Sequence, residues 1–425
     1  MHGPTAFPLP YLITPSFMDP SHFPSQKQET RPKPPIQPAM ADWSSLPSKV
    51  VRLIGDCLLS TNDLDCYMDF RAVCPKWRSV TDDPKDSSEL RFRPHRWIII
   101  DEVFQRDERL LVNTVSGRTV RKELPLLRRF YVVSTTHGGF FVLADKEPPH
   151  AASVLNPFTG DMIRFKAPVP NYVHVSSAAL SGHSTGKLCL SSLVSARRSS
   201  PTLNLLWDSS YEQRMAFPDS DSFTVEVDEG FMGSFPLMRM AVVGGICAAD
   251  GWRQRTVAPL PASSAKKIFR LMKLYSIDPY NMFYQKPVGT FADFLGTGSA
   301  NYFFLVESAG ELLGIIKQRK RLKVFRLDDN GDGVEPVRSI GDRAIFVGYR
   351  RCFSVCADKF PSIVGNCVYY LKSTDSSLDI YKYDLEDDRE KWVSVAIDSL
   401  NPITLSFAKP PFTTIQLLCS YTTDI

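Results

Sequence analysis

The stretch DDNGDG, which begins at Asp328, is the part of the sequence most similar to a metal-binding motif. Its Asp, Asn, Asp and Gly residues occupy positions one, three, five and six of a calcium-binding loop. Position twelve, where a glutamate normally supplies two ligand oxygens, is Ser339, and Pro336 occupies position nine. We therefore interpret the stretch as a hairpin turn and expect no metal there.

Other residues whose side chains could react or bind a metal are also not arranged in a known motif. Cys352 and Cys356 lie in a strand-like segment with no second Cys or His pair nearby, so they are not expected to bind zinc. The stretch GTGS at 296–299 lacks the lysine and the strand–helix context of a phosphate-binding loop. No Ser, Cys, His or carboxylate has a recognisable catalytic context. We expect a protein that is not an enzyme and that needs no cofactor.

The basic run KQRKRLK at 317–323 could direct the chain to the nucleus or contact phosphate. Its flanks, LLGII and VFRL, are typical of two strands, and this pattern favours a solvated β-turn between them. The formal charge of +4 over 425 residues is too small to indicate nucleic-acid binding. We do not expect nucleic acid as a partner.

Composition sets the class of protein. No run of about 18 apolar residues is present to cross a bilayer. Nine cysteines without a regular spacing, and no secretory signal, indicate reduced thiols in the cytoplasm, the nucleus or both. The chain is long enough for more than one folded unit.

Residues 1–40 contain ten prolines, which disfavour both helix and central strand. We predict a disordered tail. Two overlapping PxxP motifs, from Pro32 to Pro38, could bind an SH3-type groove, although a plain linker is the simpler interpretation. Met40 could alternatively be the natural start.

Three short helices are predicted between Trp43 and Thr81. Pro47 suits the first turn of one helix, Asp63 begins the second, and Pro75 is well placed to begin the third. The first helix is apolar on most of its circumference, so it needs burial on two sides, and a unit this small has little core of its own. A partner chain would cover the second side. The alternative is a helical subdomain packed on the rest of this chain.

Residues 41–82 resemble an F-box, through LP at 46–47 and FRAVCPKWRSV at 70–80. The resemblance implies docking on a Skp-type adaptor that connects to a cullin-RING ubiquitin ligase. The residues that it places at the adaptor are Leu46, Pro47, Val50, Val51, Ile54, Leu58, Leu64, Val73, Cys74 and Trp77. One departure is the acidic start of the second helix, at Asn62, Asp63 and Asp65, which is compatible with the helix dipole.

After a linker at 83–95, residues 96–415 read as short strands separated by turn residues, which predicts an all-β domain. Asn113 precedes Gly117 by four residues and Pro125 by twelve, and the same pattern recurs from Asn156, 43 residues later. Weaker copies follow, among them 247–259. Steps of about 40 to 56 residues are typical of propeller blades. We expect a multidomain chain, with three helices followed by a β-propeller of about six blades.

The C-terminal half resembles a plant domain of unknown function that follows F-boxes and is related to kelch-type propellers, the KIB-like family. The matching stretches are IGDRAIFVG (340–348), CFSVCADKFPSIVGNCVYYL (352–371) and DIYKYDLEDDREKW (379–392). The two resemblances together imply a substrate receptor of a Skp–cullin–F-box ligase that binds an unknown protein. One alternative is a non-catalytic scaffold, or a regulatory or inhibitory protein of the nucleus, that uses the F-box only to dock. Another is a propeller hydrolase or glycan-binding module.

Overall fold

The structure is a computed structural model. It describes residues 42–84, 90–100, 107–136, 139–169, 175–181, 202–207, 213–225, 301–318, 321–327, 335–348, 351–373, 377–401, 404–407 and 412–422. The predicted tail at 1–40, the GTGS stretch and the repeat copy at 247–259 lie outside these ranges. Residues Leu46–Ile425 form one compact unit.

The three predicted helices are confirmed. They are α1 (Ser48–Ser60), α2 (Leu64–Ala72) and α3 (Pro75–Val80). Pro47 precedes the first turn of α1. The side chain of Asp63 caps α2 by accepting from the Cys66 amide at 3.2 Å, and the Cys74 sulfur accepts from the Trp77 amide at the start of α3. The segment predicted as a linker contains a 3₁₀ helix, Leu90–Phe92.

Five sheets follow. Sheet 1 contains β1 (Trp97–Ile100), β2 (Glu108–Asn113) and β3 (Thr119–Glu123). Sheet 2 contains β4 (Phe130–Thr135), β5 (Phe141–Asp145), β6 (Ala151–Leu155) and β7 (Met162–Pro168). Sheet 3 contains β8 (Val175–Ser181), β9 (Thr202–Trp207), β10 (Gln213–Ala216) and β11 (Thr224–Val225). These sheets are antiparallel, and their strands pair in chain order.

Sheet 4 has the same simple topology. It contains β12 (Asn301–Ser308), β13 (Glu311–Gln318), β14 (Arg321–Arg326) and β15 (Glu335–Val337). Sheet 5 contains β16 (Arg343–Val347), β17 (Cys352–Cys356), β18 (Cys367–Ser373), β19 (Leu378–Asp384), β20 (Arg389–Asn401) and β21 (Thr404–Phe407). Its strand order is β17-β16-β18-β19-β20-β21, and β16 and β18 are parallel.

The predicted propeller architecture is present, but the described residues do not show the expected number of blades. Within the described ranges, four sheets have the four or more strands of a full blade, and sheet 1 has three. The expected count of about six blades is therefore not confirmed. Two of the stretches whose sequence is typical of a strand, KLCLSSL (187–193) and RMAVVGGICA (239–248), lie outside the described residues.

The repeat that predicted the blades has a structural basis in two matching turns. The Asn113 side chain accepts hydrogen bonds from the amides of the residues two and three positions later, both at 3.0 Å, and Asn156 accepts at 3.0 and 3.5 Å. Gly117 and Gly160, four residues after each asparagine, have φ values of 72° and 70°. Glycine adopts this left-handed conformation without steric cost, so the Asn-to-Gly spacing specifies the turn.

The hydrophobic core lies between neighbouring sheets. Separate buried clusters join sheet 1 to sheet 2, sheet 2 to sheet 3, sheet 4 to sheet 5, and sheet 5 to sheet 1. The last of these clusters also contains α4 (Thr414–Tyr421), which was not predicted. Thr413 and Gln416 form a capping box at the start of α4, a local reason for the helix to begin there. No helix among the described residues is long and apolar enough to span a membrane.

The basic run forms part of a hairpin, as its flanks predicted, because β13 pairs with β14. The expectation that its charges are solvated is wrong for Lys317, which belongs to β13 and is 9% exposed. The ammonium of Lys317 lies 4.9 Å from the centre of the Tyr370 ring in sheet 5. Residues 328–334, which include the DDNGDG stretch, lie outside the described residues, but the strands on either side pair through Arg326 and Glu335.

Candidate partner-docking site

Helix α1 presents apolar side chains to solvent. Val50 is 39% exposed, Leu53 69% and Ile54 36%. The spacing of three and four residues places them on one face of the helix. Pro47 is exposed at the start of the helix, and Val73, between α2 and α3, is 62% exposed. We call Pro47, Val50, Leu53, Ile54 and Val73 the docking residues.

The opposite side of α1 packs within the chain. Val51 is fully buried. Leu59 belongs to a cluster with Leu64 and Tyr67 of α2 and with apolar side chains of sheets 1 and 2. A Cβ on Gly55 would lie 3.2 Å from the Tyr67 ring, so α1 and α2 are in close contact. The helix therefore covers one apolar side with its own chain and leaves the other in water. Packing on the rest of the chain, which the sequence left as an alternative, accounts for the buried side of α1 but not for the exposed one.

The ten residues that the resemblance placed at an adaptor divide into three groups. Pro47, Val50, Ile54 and Val73 are exposed, Leu46, Leu58 and Cys74 are half-buried, and Val51, Leu64 and Trp77 are buried. Atoms of this chain already cover Val51, Leu64 and Trp77, so contact of these three with an adaptor stays a prediction. They hold the helices together. Leu53 is not among the ten, although it is the most exposed of the apolar side chains on the docking face of α1 and its spacing from Val50 indicates a shared face.

Arg71 fixes the end of α3 next to α2. Its guanidinium is buried, donates to the carbonyl oxygens of Thr81 and Asp82 at 2.7 and 2.6 Å, and pairs with the Asp83 carboxylate at 2.8 Å. Trp77 stacks on the Phe70 ring with a centroid distance of 4.5 Å. A buried cation with several acceptors tolerates little displacement. The three helices therefore form a fixed support for the docking residues.

Three side chains, two in α2 and one in the segment that leads into β1, have a pKa shifted toward the neutral form. Burial raises the pKa of the Cys66 thiol and of the Tyr67 phenol, and the Tyr67 hydroxyl donates to the Asp82 carbonyl at 2.8 Å. Burial lowers the pKa of His95 to about 4, since the charged imidazolium loses solvation there and also faces the charge of Arg96. These shifts describe a packed structural region, without a nucleophile or a general base of suitable pKa among them.

Among the residues that the structure describes, one group of possible metal ligands lies at the start of β16 and the end of β17. The carboxylates of Asp342 and Asp358 and the sulfur of Cys356 have ligand atoms within 4.8 Å of one another. Asp358 pairs with Lys359 at 2.7 Å, and burial raises the pKa of the Cys356 thiol, so the thiolate that would bind a metal is disfavoured. Cys352, the other cysteine of this strand, is not in the group. The cluster gives no ground for a metal site.

Comparison with known proteins identifies the family of the propeller. No curated protein matches the chain significantly. The family model described as KIB1-4 beta-propeller matches residues 103–395, more than half of the chain. The matched segment contains all the strands described here except β1 and β21, which lie outside it, and β20, whose last residues lie outside it. The chain belongs to the KIB1-4 β-propeller family.

Proposed function

We propose that this chain is the substrate receptor of a Skp–cullin–F-box ubiquitin ligase, in which the helices bind a Skp-type adaptor and the propeller binds a target protein. One observation carries the proposal: the docking residues, three of which share one face of α1, are apolar and are left exposed to solvent by the described part of the chain. An exposed apolar group of this kind on a packed support is characteristic of a protein interface.

The size of the docking group is sufficient for a specific contact. Complete burial of an aliphatic side chain contributes about 1.5–3 kcal/mol, so Val50, Leu53 and Ile54 together can supply several kcal/mol after their present partial burial is subtracted. Interface energy is usually concentrated in a few such side chains. The fixed packing of α1 against α2 supports the proposal further, because little conformational entropy is lost when a partner binds.

The second half of the proposal is that the propeller binds a target protein. Membership of the KIB1-4 propeller family points to function through protein–protein contacts. In this proposal ubiquitin transfer is catalysed by other subunits of the ligase. The receptor contributes proximity, because holding the target and the ubiquitin-carrying enzyme in one assembly raises their effective concentration.

Adaptor binding can be tested with a matched pair of valines. Val50→Asp, alone and combined with Leu53→Asp, is expected to weaken binding of a purified Skp-type adaptor by at least about tenfold, because it puts a charge into an apolar contact. Val132→Asp is the control, since Val132 is 42% exposed on β4 of the propeller. Leu46→Ala combined with Pro47→Ala should also lose adaptor binding. Equal affinity of all variants, measured by titration calorimetry, would contradict the proposal.

A second measurement separates the receptor from a scaffold that uses the helices only to dock. The full chain, the adaptor, the cullin and its RING partner would be assembled with ubiquitin and its activating and conjugating enzymes. Transfer to proteins captured by the propeller is expected for a receptor. Assembly without transfer to any captured protein would favour the scaffold or regulatory alternative.

A further inference from the structure

The acidic start of α2 has a structural role that its position at a helix N-terminus does not explain. Asn62, Asp63 and Asp65 lie at or next to the α1–α2 turn, and their side chains contact residues of the propeller or of the segment that leads into it. All three are buried or half-buried. Their polar groups therefore need these contacts.

Asn62 connects the turn to the start of β1. Its amide nitrogen donates to the Arg93 carbonyl at 2.7 Å, and its amide oxygen accepts from the Arg96 backbone at 3.1 Å. The indole nitrogen of Trp97 donates to the Asn62 carbonyl at 2.7 Å. Asn62 is fully buried and has a φ of 56°, a conformation that asparagine tolerates better than most residues. The sequence therefore suits both the turn and its contacts.

Asp63 and Asp65 connect α2 to sheet 1. The guanidinium of Arg118, in the β2–β3 turn, contacts both carboxylates and lies 2.8 Å from that of Asp65. Lys122 of β3 pairs with the second Asp65 oxygen, also at 2.8 Å. The Asp65 side chain is 10% exposed, so two carboxylates and two cations meet where little solvent screens them.

Apolar packing surrounds these polar contacts. Leu64 and Tyr67 of α2 share a buried cluster with Trp97 of β1 and with side chains of sheet 2. The Lys122 ammonium also lies 5.1 Å from the centre of the Phe158 ring. The contact between the helices and the propeller thus combines buried apolar area with directional polar bonds.

We propose that Asn62, Asp63 and Asp65, with Arg93, Arg96, Trp97, Arg118 and Lys122, form a rigid joint that fixes the docking residues in one orientation relative to the propeller. Asn62, Asp65 and Arg118 are its positioning residues. This deepens the proposed function, on which it rests, because a fixed joint determines which lysines of a bound protein face the ubiquitin-carrying enzyme.

Buried polar contacts suit this role better than a role in stability alone. Replacing a buried ion pair with apolar groups often leaves stability unchanged or raised, because desolvation offsets the attraction. Apolar packing permits small sliding between surfaces, whereas a carboxylate bound by two cations and an asparagine with three bonds define one relative position. The joint therefore specifies an orientation that the apolar cluster by itself would leave loose.

The joint can be tested on the full chain by pulsed electron resonance. Spin labels on ketone-bearing residues at Lys49 and Val132, both exposed, would report the distance between α1 and sheet 2 without labelling the cysteines. A single narrow distance distribution is expected for the parent protein. Arg118→Glu should widen it about twofold, because local opening follows the loss of its contacts.

A neighbouring arginine provides the matched control. Arg121 lies on β3, is exposed, and pairs with Glu108 at 3.4 Å, so Arg121→Glu makes the same charge change outside the joint and should leave the distribution narrow. If circular dichroism shows that Arg118→Glu is unfolded, the milder Asn62→Ser decides the question. Equal widths in the parent, joint and control proteins, or a broad distribution in the parent itself, would overturn the proposal.

A ligase measurement distinguishes this inference from the proposed function. Arg118→Glu should bind the Skp-type adaptor with unchanged affinity, because the docking residues are intact. In the reconstituted ligase, ubiquitin on the receptor's own lysines, mapped by mass spectrometry, should spread from a few positions to many. If Val50→Asp loses adaptor binding and the parent protein has a narrow distance distribution, both the joint and the proposed function are supported. A narrow distribution with no adaptor binding by the parent supports the joint and refutes the ligase.

Discussion

The ammonium of Lys317 lies over the ring of Tyr370, 4.9 Å from its centre, and joins sheet 4 to sheet 5. The Tyr370 hydroxyl donates to Glu390, whose carboxylate also pairs with Lys372 at 3.0 Å. Burial lowers the pKa of Lys317, and the charge of Glu390 opposes that effect. A residue that the sequence places in a basic surface run is thus part of the contact between two sheets.

Reversing this charge should therefore destabilise the protein. We expect Lys317→Glu to lower the free energy of unfolding by about 3–5 kcal/mol, because it leaves a buried carboxylate beside Glu390. Lys323→Glu, in the same run but on an exposed position of β14, should change it by no more than about 0.5 kcal/mol. Urea denaturation measures both. Similar losses would show that the two lysines share one environment.

Acid should weaken the fold through His95. Burial lowers its pKa to about 4 in the folded protein, whereas the unfolded chain has the ordinary value of 6.5. Between these values the unfolded chain binds more protons, so stability is complete above pH 6.5 and falls as the pH approaches 4, by about 3 kcal/mol. Denaturation at pH 7.5 and at pH 4.5 should show this loss. His95→Gln should reduce the difference between the two pH values, and an undiminished difference would contradict the assignment.

Gly55 should be sensitive to any larger side chain. A Cβ there would lie 3.2 Å from the Tyr67 ring and 3.3 Å from the Thr81 methyl group. We expect Gly55→Val to lower the melting temperature, with a cost of about 1–3 kcal/mol, because the branched side chain forces α1 away from α2. Cys57→Val, on an exposed position of the same helix, controls for β-branching. The two variants should have equal stability if α1 can move freely.

The C-terminal helix offers two adjacent leucines for comparison. Leu418 is fully buried between sheets 1 and 5, whereas Leu417 is only partly buried against the same cluster. Leu418→Ala should cost about 2–5 kcal/mol of unfolding free energy, since it removes transfer energy and leaves a cavity. Leu417→Ala should cost clearly less. A reversed order in chemical denaturation would mean that α4 packs through its other side.

Local determinants could be predicted from the sequence, and distant ones could not. The turns at Asn113 and Asn156 depend on residues within four positions, so the repeat and the propeller architecture could be predicted from the sequence. The three N-terminal helices were predicted for the same reason, from Pro47, Asp63 and Pro75. The capping box of α4 at Thr413 is equally local and was overlooked.

The partners of Asp65 and Lys317 depend on tertiary packing. Arg118 is 53 residues from Asp65 in sequence, and Tyr370 belongs to a different sheet from Lys317. The burial of Val51, Leu64 and Trp77 follows from how the helices pack, which amphipathic spacing does not resolve. The sequence does not show which of the predicted adaptor contacts are exposed. That became clear only from the structure, in which the other side of α1 packs against the propeller.

The cluster that contains Ile98 of β1 and Leu418 of α4 has a consequence for biosynthesis. The ribosome synthesises β1 early, but one apolar side of this strand is buried only after the segments near the C-terminus have been synthesised. Until then, the apolar side of β1 remains exposed to solvent, and chaperones bind exposed apolar segments of this kind. A premature stop codon just before α4 would prolong this exposure indefinitely.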